Sequence, residues 1–235
     1  AFTLGIASLL GNRVPVALKV FITALAIIDD LGAIIVIALF YGGQLKLLYL
    51  LLSAIIMIIL LSFQKNKVKI GWYTWVLGLA LWYAMFNSGI HATVAGVLFA
   101  FTIPVKQLAQ LELKFHTPVY FIIMPLFALA NTAIVFPEEG LAALNHSFSW
   151  GIMAGLFIGK PLGICLACYW IIKQKWANLP SQTNLHQLTG AGILAGIGFT
   201  MSIFISMLAF QDNMVQDIAK IAVLVSSVLS MIVGY

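Results

Sequence analysis

The sequence predicts an all-α polytopic membrane protein, and three observations carry that prediction. Of its 235 residues 63% are hydrophobic and 8% charged, where a soluble domain has about 25% charged residues. The apolar residues come in runs long enough to cross a bilayer, for which roughly 20 suffice. Short polar tracts separate those runs, and no stretch reads as a soluble domain or a long linker. One transmembrane domain over 1–235 is therefore expected.

Taken in order, the chain opens on "AFTLGIASLL", without Met or a charged leader, so residues 1–10 read as a half-helix entered partway and the chain as a fragment. A first full span covers 14–41, apolar except for Lys19 near its start and Asp29 and Asp30 near its middle. A second covers 45–63, and shorter ones follow at 72–86, 91–103 and 119–135. The last three are 150–172, 188–210 and 215–235, which makes about eight spans and a half-helix.

The net charge of +5 and a pI near 9.3 do not point to nucleic acid, because the basic residues form no stripe. They sit between spans instead. Assigning loops alternately puts Arg13, Lys19, Lys65, Lys67, Lys69, Lys106, Lys114, Lys173 and Lys175 on one side. Lys46, Glu138, Glu139, Asp212, Asp217 and Lys220 fall on the other. The basic excess makes the first side cytoplasmic, so the span carrying Asp29 and Asp30 runs outward. Cys165 and Cys168, as "CLAC" in an apolar span, read as packing residues rather than a redox pair.

Within the spans, charge is costly. An Asp at mid-membrane costs about 2.5–3.5 kcal/mol on insertion scales, so such residues face a bundle interior or a wet cavity. Apart from the doublet, the one charge read near the middle of a span is Lys160, about ten residues in, or roughly 15 Å deep at helical rise. Asp29 and Asp30 are its candidate partners. Successive helical residues point about 100° apart, so one carboxylate can address a cavity while the other meets Lys160. The two also titrate as a coupled pair.

The span "GAGILAGIGFTMSIFISMLAF" admits two readings: close packing through small residues, or a helix broken near 196–200 that exposes backbone groups at mid-membrane. An echo favours the break, since "AFTLGI" at the start matches "GFTMSI" at 198–203. The loop assignment gives the two segments opposite directions, the mark of an inverted repeat with a site at the repeat interface. Phe2 and Thr3 in one segment and Gly196, Gly198 and Thr200 in the other would line that site. Hard oxygens of this kind suit Na+, and protons compete for the same carboxylate, so cation/proton exchange follows without a separate device.

The stretches "ALAIIDDLGAIIVIALFY", "SGIHATVAGVL", "PLFALANTAIVF", "GLFIGKPLGI" and "GILAGIGFTMSIFI", in that order, resemble the bacterial Na+/H+ antiporters of the NhaA type over essentially the whole chain. The resemblance implies an inverted-repeat transporter fold with discontinuous helices, in a bacterial inner membrane, exchanging Na+ or Li+ for H+ electrogenically and under pH control. It implies no enzyme activity and no cofactor. Asp30 would be the main cation and proton carboxylate, with Asp29 paired to Lys160 and contributing secondarily to the Na+ site. Glu112 and His116 match a pH-responsive cluster, and also read as an ordinary solvated helix end. His91 reads as a cap for its helix. A Thr-Asp pair that the family places just before "AFTLG" is absent, as are the first helices and the dimerising hairpin, so a homodimer would form through a part not in this chain. An inactive remnant and, in a different class, an intramembrane aspartyl protease are the alternatives. The protease needs its two carboxylates on separate helices around one water. A metal-binding DDxxD helix fails because Ala33 stands at the last position.

Overall fold

In lipid a continuous apolar run can satisfy its backbone N–H and C=O groups internally only as a helix, and helix dominates what the structure shows. The computed structural model describes residues 2–9, 14–66, 68, 70–132 and 144–235, without the side chains of Phe2, Leu4 and Ser8. Arg13, Lys67, Lys69, Glu138 and Glu139, used above for sidedness, lie outside the described residues. The helices are α1 (Phe2–Leu9), α2 (Val16–Phe40), α3 (Leu47–Lys65), α4 (Trp72–Ser88), α5 (Thr93–Phe101) and α6 (Val105–Pro118), then α7 (Met124–Thr132), α8 (Ser147–Ala154), α9 (Lys160–Lys173), α10 (Leu185–Ala195), α11 (Phe199–Ala209) and α12 (Asn213–Gly234).

Among the described residues, five stretches are long and apolar enough to cross a membrane: α2, α3, Val105–Asn131, Ser147–Lys173 and α12. A sixth is the pair α10 and α11, bent by 42° at a short break. Three expected spans differ, the first being 72–86, which yields the 17-residue α4 and is not among these stretches. The stretch 91–103 yields only the nine residues of α5, about 13 Å at helical rise and less than half a hydrocarbon core. The stretch 119–135 belongs to a helix that starts much earlier, at Val105, so the tract carrying Lys106 and Lys114, assigned above to a loop, is helical. Its Leu, Ala, Gln, Glu and Lys residues are strong helix formers, and after Pro104 no glycine interrupts them.

Two helices widen at one point. Between α6 and α7 lies a π turn, Val119–Ile123, closed by the Met124 N–H donating to the Val119 carbonyl. Between α8 and α9 lies another, Gly155–Gly159, closed by the Lys160 N–H donating to the Gly155 carbonyl. Each is followed by an X-Pro step, Met124-Pro125 and Lys160-Pro161. A helical proline donates nothing and its ring strikes the carbonyl four residues back. Opening one turn to an i→i−5 bond relieves that clash without ending the helix.

The chain divides into two compact units, residues 32–128 and residues 1–31 with 129–235. In the first, α3 and α4 pair through Ile56, Leu60, Leu81, Ala84 and Met85, with Ala95 of α5. Gly89 ends α4 at φ +93°, where a Cβ would also run into the Gln44 carbonyl. Its own carbonyl accepts from the Gly43 N–H at 2.6 Å.

In the second unit α12 is central, packing against α8, the π turn, α10 and α11. The N-terminus of α12 is capped by Asp212, which accepts from the Met214 N–H at 2.9 Å. Gln216 donates through Nε2 to the Met207 and Phe210 carbonyls at 3.1 and 2.6 Å, satisfying the end of α11. Asn184 and Gln187 form a reciprocal cap on α10. One correction falls here. Asp217 and Lys220, counted above with loop charges, lie inside α12 as an ion pair, Lys220 buried and Asp217 partly so, with Nζ and Oδ1 2.9 Å apart. A pair at i, i+3 neutralises itself locally, so the helix continues into the bilayer past both charges.

Candidate functional site

The two aspartates sit on consecutive positions of α2 and part company there. Asp29 Oδ2 lies 2.6 Å from Lys160 Nζ, an ion pair that joins α2 to the start of α9. Asp30, about 100° further round the helix, has no ion-pair partner among the described residues and lines a pocket of about 60 Å³. Space of that size holds a few waters or one partly hydrated cation. Asp29, Lys160, Thr3, Thr200 and Ser202 also line it.

The break between α10 and α11 forms one wall. The Gly196 N–H bonds to the Ile193 carbonyl at 2.9 Å and the Ile197 N–H to the Leu194 carbonyl at 3.1 Å, so α10 tightens before it stops. The next helix begins at Phe199, and its first residues, Phe199, Thr200 and Met201, line the pocket. The negative end of one half-helix and the positive end of the other thus meet beside the carboxylates. From α1, Thr3 donates through Oγ1 to the Leu194 carbonyl at 3.0 Å, fixing α1 against the break.

Gly196 is sterically required, and a side chain at Gly198 would force its neighbours' side chains to move. A Cβ on Gly196 would lie 2.6 Å from the Leu156 carbonyl oxygen and 2.8 Å from Ser230 Oγ. A Cβ on Gly198 would collide with Ser202 Oγ and meet Leu156 Cδ2 at 3.0 Å.

Of the residues singled out in the sequence, Asp29, Asp30, Lys160, Thr3, Gly198 and Thr200 share this pocket, and Gly196 stands in the break behind it. The side chain of Phe2, and Ala1, lie outside the described residues. Glu112 and His116 are exposed on α6, in the other unit, with the His116 ring 4.4 Å from that of Tyr120. His91 places Nδ1 3.0 Å from Thr93 Oγ1 at the start of α5. Cys165 Sγ packs toward Gly192. Two contributors escaped the sequence reading. Ser202 is in the pocket wall because it follows Gly198 by one helical turn. Leu156 reaches the break because the π turn brings its carbonyl there, and Pro161 was the signal for that turn.

A family model described as "Na+/H+ antiporter 1" matches residues 1–235. The chain is 48% identical over 241 residues to a protein named Na(+)/H(+) antiporter NhaA 2 from Flavobacterium johnsoniae, covering 100% of this chain and 59% of that one. It is 48% identical over 243 residues to Na(+)/H(+) antiporter NhaA 1 from Klebsiella pneumoniae subsp. pneumoniae, covering 100% and 62%. A third relative, Na(+)/H(+) antiporter NhaA from an Enterobacter species, is 49% identical over 245 residues, with 100% and 62% covered. The chain therefore spans between 59% and 62% of the length of these three relatives.

Proposed function

Because the chain belongs to the Na+/H+ antiporter 1 family, we propose that it carries the ion site of a secondary transporter, with no enzyme activity. That transporter exchanges Na+, or Li+ on the same oxygens, for protons across a bacterial inner membrane. It works electrogenically and under pH control, with the two units acting as one transport domain in an inverted-repeat fold of about eight spans. The observation that carries the reading is the division of labour between adjacent carboxylates. Asp29 is neutralised by Lys160 at 2.6 Å, while Asp30 faces the pocket with Thr3, Thr200 and Ser202 around it.

A carboxylate with hydroxyls and broken-helix backbone is a hard-oxygen set of the kind that replaces the water shell of an alkali cation. Protons bind the same oxygen atoms, so Na+ and H+ exclude each other and exchange needs no second gate; at Asp30 alone that is one proton per Na+, and electrogenic exchange requires a second proton-carrying group in the whole transporter. The loaded or protonated pocket crosses more readily than the empty charged one, since an uncompensated carboxylate is costly at mid-membrane. The protease alternative is not favoured, because Asp29 is held by Lys160 and leaves one carboxylate for a chemistry that requires two.

The test is Na+-dependent proton movement in everted membrane vesicles from cells expressing the protein. Asp30→Asn removes the exchangeable proton and the cation's charged ligand, so exchange should fall to background. Exchange at the unsubstituted rate in that variant would overturn the assignment.

A further inference from the structure

Lys160 meets Asp29 from a position the helix would not give it on regular geometry, because it stands at the end of the Gly155–Gly159 π turn. We propose that Pro161 is a positioning residue: by forcing that turn open it aims the Lys160 ammonium at Asp29 while leaving α8 in register with α12. The transport consequence rests on the function proposed above, but the geometry does not.

Upstream of the turn, α8 is tied to α12, with Ser226 Oγ donating to the Met153 carbonyl at 3.5 Å. Downstream, Lys160 Nζ is 2.6 Å from Asp29. A π turn holds one residue more than an α turn, so closing it to α geometry rotates one flank against the other by about 100° and shifts it about 1.5 Å. The ion pair and the α8–α12 register therefore cannot both survive on a regular helix. Pro161 keeps the turn open, since it has no N–H and its ring would strike the Phe157 carbonyl in an α turn. Pro161 is itself buried.

A second contact holds the open turn in place. The carbonyl of Leu156, inside the turn, lies so close to Gly196 that no side chain fits between them, and Ser230 Oγ closes the same gap. The element that aims Lys160 is thus pressed against the helix break that walls the pocket. The Val119–Ile123 turn ahead of Pro125 has the same local form in the other unit and no ion pair at its end, so the form follows the proline rather than the charge.

The experiment is a double-mutant cycle on purified protein in lipid nanodiscs, with Asp29→Asn and Lys160→Ala read by thermal unfolding in three backgrounds. In the unsubstituted protein the two changes should be non-additive, because they remove one interaction. In Pro161→Ala they should become additive, with more than half of the coupling gone. In Pro125→Ala the coupling should stay. Full coupling in Pro161→Ala overturns the proposal. If that variant does not fold, Gly196→Ala takes its place, since its methyl must displace the Leu156 carbonyl, and full coupling there overturns the proposal equally. In vesicles the pH profile of Pro161→Ala should coincide with that of Lys160→Ala, and a profile identical to the parent counts against the positioning role. Absence of Na+-dependent exchange in the parent would sink the function while leaving the cycle to decide the geometry.

Discussion

A lysine deep inside an apolar span is costly unless it is paired, and among the described residues Lys160 and Lys220 are paired in different surroundings. Lys220 and Asp217 have side chains 8% and 18% exposed, whereas Lys160 and Asp29 are 23% and 47% exposed. Removing one partner of a buried pair strands the other charge and costs about 3–5 kcal/mol. The Lys160–Asp29 pair borders the pocket, where water can solvate the charge left behind, so breaking it costs less. Lys220→Met should therefore lower the unfolding temperature more than Lys160→Ala, although only Lys160 borders the pocket. Thermal unfolding of the two purified variants checks this, and the reverse order would mean that the α12 pair is not structural. Conversely, Lys160→Ala should disturb the pH profile of exchange more than Lys220→Met does.

At the scale of elements, prolines and glycines decide where helices widen, break or end. Gly89 is the clearest case, because its φ of +93° and its approach to the Gln44 carbonyl both exclude a side chain. Left-handed backbone alone costs a non-glycine residue about 1–3 kcal/mol. Gly89→Ala should therefore destabilise the α3–α4 pair measurably in thermal unfolding, and an unchanged midpoint would refute the steric argument. The same residues explain what was legible in the sequence. The break at "GIG" could be read because Gly196 and Gly198 interrupt an otherwise apolar helix, and the doublet and Lys160 because charge stands out against oil. The helical nature of 105–118 could not be read from hydropathy, which fails when Lys106, Gln107, Gln110, Glu112 and Lys114 make a helix polar. Asp217 and Lys220 were counted with the loop charges for the same reason, since hydropathy counts two charges and misses that they cancel three residues apart. The π turns were hidden because apolar patterning is silent about backbone hydrogen bonds, though Pro125 and Pro161 announced them.

At the scale of the whole molecule, the distribution of polarity is inverted relative to a soluble protein. The buried side of α12 carries Lys220, Ser226, Ser227 and Ser230, while Leu39, Leu48, Ile58, Phe121 and Leu166 are outward-facing. In water such a surface would aggregate; in a bilayer it is the solvated face. That difference has a depth dependence that can be measured on one helix. Ile58 is 64% exposed near the middle of α3, and Leu48 is 75% exposed at its start. An arginine at a span's centre costs about 2.5–3.5 kcal/mol on insertion scales, whereas one near the end extends its long side chain to the interface and escapes most of that cost. Ile58→Arg should therefore sharply reduce the amount of protein that remains in membranes after an alkaline carbonate wash, and Leu48→Arg should leave it close to the parent. Equal losses would mean that depth in the bilayer is not what sets the penalty, and equal retention would mean that α3 does not face lipid at Ile58. The contrast needs no transport assay, because it depends only on α3 crossing the hydrocarbon core with that face outward.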